Sequence, residues 1–296
     1  MINKFLEKKQ LSYKIALFVS GNGSNAEKIL EYHKEHNCRN WDPVVIVTDN
    51  PQKSRAGEIA LKYGIECIKH DIRKFYRERG ENRVTLFTEA GRRIREEWTQ
   101  KLRKYLQPYS IDFGILAGFV PLTNITGDFP CLNVHPGDLT VTENGKRILV
   151  GLHTVPIEAA LLRGFQSLRS SVIIAQPYSG EGGEMDSGPI LGISAPVEVD
   201  LHGKTLMELK SIAANRPERR PVGGFKDELE EIAALNQEQL KIYGDWIVFP
   251  PVIDDFASGK FALNENGGLL YLESSVAQEI KTVEYSESKK LIIKKR

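Results

Sequence analysis

The chain has 296 residues, 41% hydrophobic and 27% charged, which is enough apolar length to bury one large core or two modest ones. Forty basic against thirty-nine acidic side chains leave a formal charge of +1, so no global field draws the chain to nucleic acid or an anionic membrane, and an anion has to be held by a local site. The three cysteines, Cys38, Cys67 and Cys131, are odd in number and far apart; they fit neither a disulfide framework nor a zinc motif, point to a reducing cytosol, and leave no metal site to expect.

The N-terminal "MINKFLEKKQLSYK" lacks the apolar stretch of a signal peptide, so a cytoplasmic location is expected. "KIALFVSGNGSN" reads as a buried strand ending in a Ser/Gly/Asn turn, and "AEKILEYHKEH" as a helix with Ile29, Leu30 and Tyr32 on one face. "DPVVIVTDNP" predicts a second strand, "RAGEIALKYGI" a second helix and "ECIKHD" a third strand. This alternation builds an open, mostly parallel, Rossmann-like α/β sheet with helices on both faces. A long amphipathic helix over "LFTEAGRRIREEWTQKLRKYLQPY" turns Leu102, Tyr105 and Leu106 to the core, ahead of the strands "DFGILAGF" and "CLNVHP", the latter stopped by Pro136.

Beyond a helix in "VGLHTVPIEAALLRG" come a strand "SSVIIAQ", a Gly-rich loop "SGEGGEMDSGP" and a strand "ILGISAPVEV". Residues 202–236, with the arginine-rich "RPERRP", read as a helix broken by a loop that is either solvated or in contact with substrate phosphate. "LKIYGDWIVFPPVIDDFASGKFALNENGGLLYLESS" reads as a closing helix and a hairpin turning at "NENGG", before a charged, strand-like tail. The expected organisation is a catalytic core over residues 1–200, with 201–296 supplying the insertion, closing helix, hairpin and tail on the same domain.

Two places carry chemistry. "SGNGSN", Ser20 to Asn25, lies where the first strand meets the first helix, and exposed N–H groups with the helix dipole favour a phosphate there. It lacks the third glycine of a dinucleotide fingerprint and the lysine of a P-loop, and a plain turn capped by Ser24 or Asn25 is the competing account. Asn133 and His135, two apart on a strand, point to one face at the carboxyl edge of the sheet, where open α/β folds bind ligands. Asp186, in the glycine-flanked "EMDSGP", is the acid that can return to that edge, with Asp138 as its local rival; Cys131 has no base partner and reads as packing. An amide donor, an imidazole and a carboxylate suit a reaction in which charge develops on a carbonyl oxygen while an amine loses a proton.

With "SGNGSN", "LAGF", "NVHP", "GLHT" and "MDSGPIL" in this order, the chain resembles the folate-dependent formyltransferases, most closely the phosphoribosylglycinamide (glycinamide ribonucleotide) formyltransferases. The likeness covers residue 13 to about 200 and returns in "IYGDWIVFPPVIDDFASGKFALNENG". It implies Asn133, His135 and Asp186 as catalytic residues, Gly23, Ser24, Asn25 and Arg95 as ligands of the substrate phosphate, and His153 as a supporting residue. It implies 10-formyltetrahydrofolate as co-substrate, no metal, and a small phosphate-bearing amine as acceptor; neither nucleic acid nor membrane is an expected partner, and a homodimer is left open.

The chain departs from that family where Val120 and Pro121 follow "LAGF" in place of Met-Arg, and where "HPGDLTVTENGKRILVGLHT" is longer than the family's connection. It departs again at Ile173, a histidine in the purine enzyme, and at Gln239, where a substrate-contacting glutamate is replaced with Glu238 one place away. Formyl transfer to an amino sugar or another amine, hydrolysis of formyltetrahydrofolate, and a non-catalytic folate- or nucleotide-binding relative are therefore weighed beside purine synthesis.

Overall fold

The computed structural model describes residues 2–294 apart from 8, 10, 179–183, 222, 274 and 275. Contacts divide the chain into two compact units. Met1–Val134, Ile173–Pro189 and Pro250–Glu279 form the first; His135–Val172, Ile190–Phe249 and Ile280–Arg296 form the second.

The first unit is built on strands β1 (Ile2–Lys4), β2 (Tyr13–Phe18), β3 (Trp41–Thr48), β4 (Glu66–Lys69) and β5 (Phe113–Leu116), with β6 (Cys131–His135) belonging to it up to Val134. Five of them lie side by side in the order β4-β3-β2-β5-β6, and every pairing among them is parallel. Strands covered on both faces have no polar side to alternate with, which is why residues 15–18 of β2 and the whole of β5 read as unbroken apolar runs. The connections are helices α1 (Ser24–Glu35), α2 (Ala56–Tyr63), α3 (Ile72–Arg77) and α4 (Glu89–Leu106). β1, unmarked in the polar lead-in, pairs antiparallel with Phe261–Asn264, the first arm of the expected hairpin. Asn264 folds that hairpin's turn: its Oδ1 accepts from the N–H of Asn266 and of Gly268, and Gly267 adopts φ +77°.

Helix α4 supplies the large side chains of the core. Ile94, Trp98, Leu102 and Leu106 recur every fourth residue and bury against Phe18, Val47, Phe75 and Leu116. Tyr105 falls beside that stripe and is 39% exposed, so its expected place in the core is corrected; its ring meets His70 edge-on, and the Lys101 ammonium lies over it. The helix starts later than the sequence predicts, at a Thr88 cap whose hydroxyl accepts from Gly91 N–H. Short α3 has a legible signature of its own, with Asp71 capping the N–H of Lys74 and Ile72, Phe75 and Tyr76 facing inward.

The second unit packs helices Val155–Leu162, Leu206–Ala214 and Glu228–Leu240 around Leu149, Leu168 and Leu209. Its strand Ile190–Ser194 runs parallel to residues 283–285, and the tail folds back as an antiparallel arm over Lys290–Lys294. Residues 202–236 do form two helices with a loop between them, capped by a Thr205/Glu208 capping box and by Asp227.

In "RPERRP" the first and the last arginine, Arg216 and Arg220, are engaged by carboxylates of the protein itself. Arg216 donates to both carboxylate oxygens of Asp227 at 2.7 Å and pairs with buried Glu158. Arg220 donates to Glu158, to Thr154 Oγ1 and to Glu230. Both guanidinium groups lie over the ring of Phe225. No helix among the described residues is long and apolar enough to cross a membrane.

His70 is a buried titratable group of the first unit. Its ring stacks on Trp98 at 4.8 Å; Nε2 donates to the Trp98 carbonyl at 3.0 Å, and the Trp98 indole N–H donates to the His70 carbonyl at 3.2 Å. Burial pushes the imidazole below its ordinary value, against the Trp98 carbonyl, which favours the charged ring. The folded chain therefore resists a proton that the unfolded chain takes up below about pH 6.5, so this contribution is complete above that pH and is lost as the pH falls through it. Denaturant midpoints should decline as the pH is lowered through about 6.5, and His70→Gln, which keeps a donor for the Trp98 carbonyl, should flatten the decline; equal slopes would assign it elsewhere.

Candidate active site

The turn after β2 is organised by Ser20. Its N–H donates to Gly118 O at 3.3 Å and its hydroxyl to Asp49 Oδ1 at 2.5 Å, while the N–H of Val120 donates to that hydroxyl at 2.9 Å. One side chain thus ties together the segments that leave β2, β3 and β5 at the carboxyl edge. Asp49 is 6% exposed, and burial raises its carboxyl above the usual range while Ser20, Arg73 and Arg95 work against that.

The cap of α1 is Gly23, and not Ser24 or Asn25 as in the competing account. Gly23 takes φ +71°, and a Cβ there would stand 2.4 Å from Ile59 Cδ1, so the turn and α2 meet only because a glycine lies between them. The side chain of Asn22 accepts from Ser24 N–H at 3.2 Å. A Cβ on Gly21 would meet nothing within 4 Å, which leaves that side of the loop open to a ligand.

Arg95 is turned inward from α4 and is 8% exposed. Its Nη1 donates to Leu122 O at 2.5 Å, but Nε is buried with no hydrogen-bond partner among the described residues. It lines a cavity of about 190 Å³ together with Arg92, Thr99, Leu122, Thr123 and Tyr178. Burial lowers its pKa from the ordinary value, opposed by Tyr76 and Asp49. A guanidinium with an unsatisfied N–H calls for an acceptor, and an anion is the natural one.

Strand β6 carries Asn133 and His135. Asn133 is half-buried and in register with Leu116 at the end of β5. His135 is 3% exposed, and its Nε2 donates to the carbonyl of Leu149 at 2.7 Å. Cys131 is buried behind them, and burial pushes its thiol well up, as suits packing and not attack. Asp138, the rival acid, is engaged in its own turn: Oδ1 accepts from the N–H and the hydroxyl of Thr140 at 2.9 and 2.6 Å, and Arg169 lies 3.8 Å from Oδ2.

Asp186 sits on the 3₁₀ turn Glu184–Ser187, which the first unit pins on both sides. Gln176 N–H donates to Met185 O at 3.1 Å, Ile174 N–H to Pro189 O at 3.2 Å, and Ala175 N–H to Cys131 O at 2.8 Å. The acid's turn is thereby fastened to the segment that runs alongside β6. The preceding "SGEGG", residues 179–183, lies outside the described residues.

His153 is exposed, takes φ +57°, and its carbonyl accepts from Gln237 Nε2 at 3.3 Å. Gln239 is also exposed, and Glu238 is paired with Lys241. Among the described residues no group of three or more His, Cys, Asp or Glu side chains is disposed to hold a metal ion. Sequence reasoning passed over Asp49 and Leu149. An apolar-strand–Thr-Asp pattern marks the first as a strand-end acid, whereas a backbone carbonyl leaves no signal at all.

Gly188 fixes the position of the acid's turn, because a Cβ there would lie 1.9 Å from the carbonyl oxygen of Ile174. Gly188→Ala should cost about 1–3 kcal/mol of stability through overpacking, measured by denaturant unfolding. An unchanged midpoint would show that the turn is not held this tightly.

No family model matches the chain. It is 28% identical to the chloroplastic phosphoribosylglycinamide formyltransferase of Arabidopsis thaliana over 237 residues, 77% of this chain and 67% of that protein. Glycinamide ribonucleotide transformylase 1 from Symbiobacterium toebii shares the fold with a TM-score of 0.56 at 22% identity, over 90% of this chain and 96% of that one. A formyltetrahydrofolate deformylase from Pseudomonas syringae pv. tomato gives a TM-score of 0.53 at 10% identity, over 89% of this chain and 67% of that one. The mixed α/β fold with a mostly parallel sheet is thus the one expected from the sequence, and the chain is similar to phosphoribosylglycinamide formyltransferases.

Proposed function

We propose that the protein transfers a formyl group from 10-formyltetrahydrofolate to the amine of glycinamide ribonucleotide. The observation that carries this reading is the buried Nε of Arg95, without a hydrogen-bond partner among the described residues, in the same unit as the open turn after β2, on a sheet whose strand β6 ends in Asn133 and His135. A phosphate-bearing acceptor supplies the missing hydrogen-bond partner. The sequence likeness to a formyltransferase supports transfer over hydrolysis, since the likeness to the deformylase is one of fold alone.

In this reading Gly23, Ser24, Asn25 and Arg95 hold the acceptor's phosphate and set its amine against the formyl carbon. Attack forms the C–N bond and turns the carbonyl oxygen into an alkoxide, which Asn133 and the protonated imidazole of His135 stabilise. Asp186 keeps the imidazole charged and takes part, through water, in removing the amine proton. Collapse breaks the bond to the folate nitrogen, which leaves with a proton. His153 supports the site from the exposed "GLHT" turn. An acceptor with another amine, or water alone, would use the same three side chains.

The test is absorbance-monitored turnover of a 10-formyl folate analogue with and without glycinamide ribonucleotide. Amine-dependent turnover is expected; turnover without the amine would make the protein a hydrolase, and binding without turnover would make it a non-catalytic relative. Asn133→Ala should lower the rate by about 10²- to 10³-fold, the usual loss for one oxyanion donor, and full activity would remove Asn133 from the mechanism. Arg95→Met should raise KM for the phosphate-bearing amine by about 10- to 100-fold, as expected for hydrogen bonds to a charged group, with KM for the folate unchanged. Equal effects on both would place Arg95 outside the phosphate site.

A further inference from the structure

We infer that the extended connection between His135 and the "GLHT" turn selects the protonation pattern of the His135 ring, with the carbonyl of Leu149 as the group that selects it; the consequence for catalysis rests on the reading of His135 above. A carbonyl oxygen only accepts, so the 2.7 Å contact with Nε2 requires that nitrogen to carry the hydrogen. The neutral ring is therefore the Nε2–H tautomer, and Nδ1 is the atom through which the ring gains and loses its proton. In the charged ring of the proposed mechanism both nitrogens carry hydrogen, and the carbonyl then fixes which of the two is occupied by Leu149.

Everything needed to place this carbonyl lies in the second unit. Leu149 itself is 2% exposed and is anchored in the cluster of Ile157, Leu161 and Leu168. The small hairpin Thr142–Glu143 and Lys146–Arg147 turns the chain so that it comes back past the ring. On the other side, Gly137 O accepts from the Ser171 hydroxyl at 2.7 Å, and that hydroxyl accepts from Leu139 N–H at 3.0 Å, so the segment after Pro136 cannot drift.

Gly137 is what lets the two parts meet. A Cβ there would stand 2.7 Å from Leu149 O and 3.2 Å from His135 Nε2. Any side chain at 137 would push against the hydrogen bond from its open flank. The extra residues of this connection and the glycine that follows Pro136 thus form one device, in which each is needed for the other.

The decisive measurement is a long-range ¹H–¹⁵N spectrum of the histidine-labelled full chain, followed in pH to where the ring is neutral, with His135→Gln to assign the signal. The Nε2–H pattern is expected for His135. An Nδ1–H pattern, or averaging between tautomers, overturns the inference and needs no folate, amine or turnover to do so. Gly137→Ala should then shift the wild-type pattern toward a mixture and lower kcat by about 10²-fold, the scale of a lost oxyanion donor, with little change in either KM. A Gly137→Ala chain that keeps the pure pattern and full kcat would also overturn the role assigned to the carbonyl. If the tautomer is as expected but no amine is ever formylated, the proposed function fails while the assignment of the ring stands.

Discussion

A parallel sheet delivers the carboxyl ends of all its strands to one edge, and the first unit makes use of that constraint at a single hydroxyl. Ser20 joins the exits of β2, β3 and β5 by donating to Asp49 and accepting from Val120. These contacts are buried, where a hydrogen bond is costly to leave unmade. The open turn beside Gly21 therefore has a rigid floor, and Arg95 is placed from α4 by the same packing that buries Trp98 and Leu102 on its face. Packing and binding share their residues there: the stripe that closes the core also aims a guanidinium inward.

The parts of the fold that were legible are those in which burial is written as a pattern. Residues 15–18 of β2, 44–47 of β3 and the whole of β5 are apolar runs because both faces are covered, and α4 shows its stripe because only one face is. Tyr105 was misplaced because an aromatic residue next to a stripe has the same hydropathy as one inside it. The cap at Gly23 was hidden because Ser24 and Asn25 are better cap formers, and only the nearness of Ile59 makes a glycine in the left-handed region the solution. Nor does order along the chain reveal that 173–189 and 250–279 group with the N-terminal strands.

At the candidate site, the spacing of Asn133 and His135 was readable from the period of a strand, and Asp186 from the glycines around its turn. What holds them was not. Leu149 acts through a backbone oxygen, which no residue type announces, and the Asp49–Ser20 link joins positions 29 residues apart. The charge on Asp138 looked available for chemistry, but a threonine two residues on absorbs it into a turn. Residue identity locates candidates; whether a side chain is available depends on partners that only the folded chain supplies.

The insertion carries one more lesson in how this chain is put together. Glu158 belongs to the helix Val155–Leu162, yet its counter-charges, Arg216 and Arg220, both come from the loop at 216–221. Excising that loop would strand a carboxylate beneath the surface with nothing to neutralise it, a heavier penalty than the lost contacts alone. Any descendant with a shorter chain would have to acquire a neutral residue at position 158 before the loop could go. The loop at 216–221 is in this way a condition for the helix Val155–Leu162, and the two can change only together.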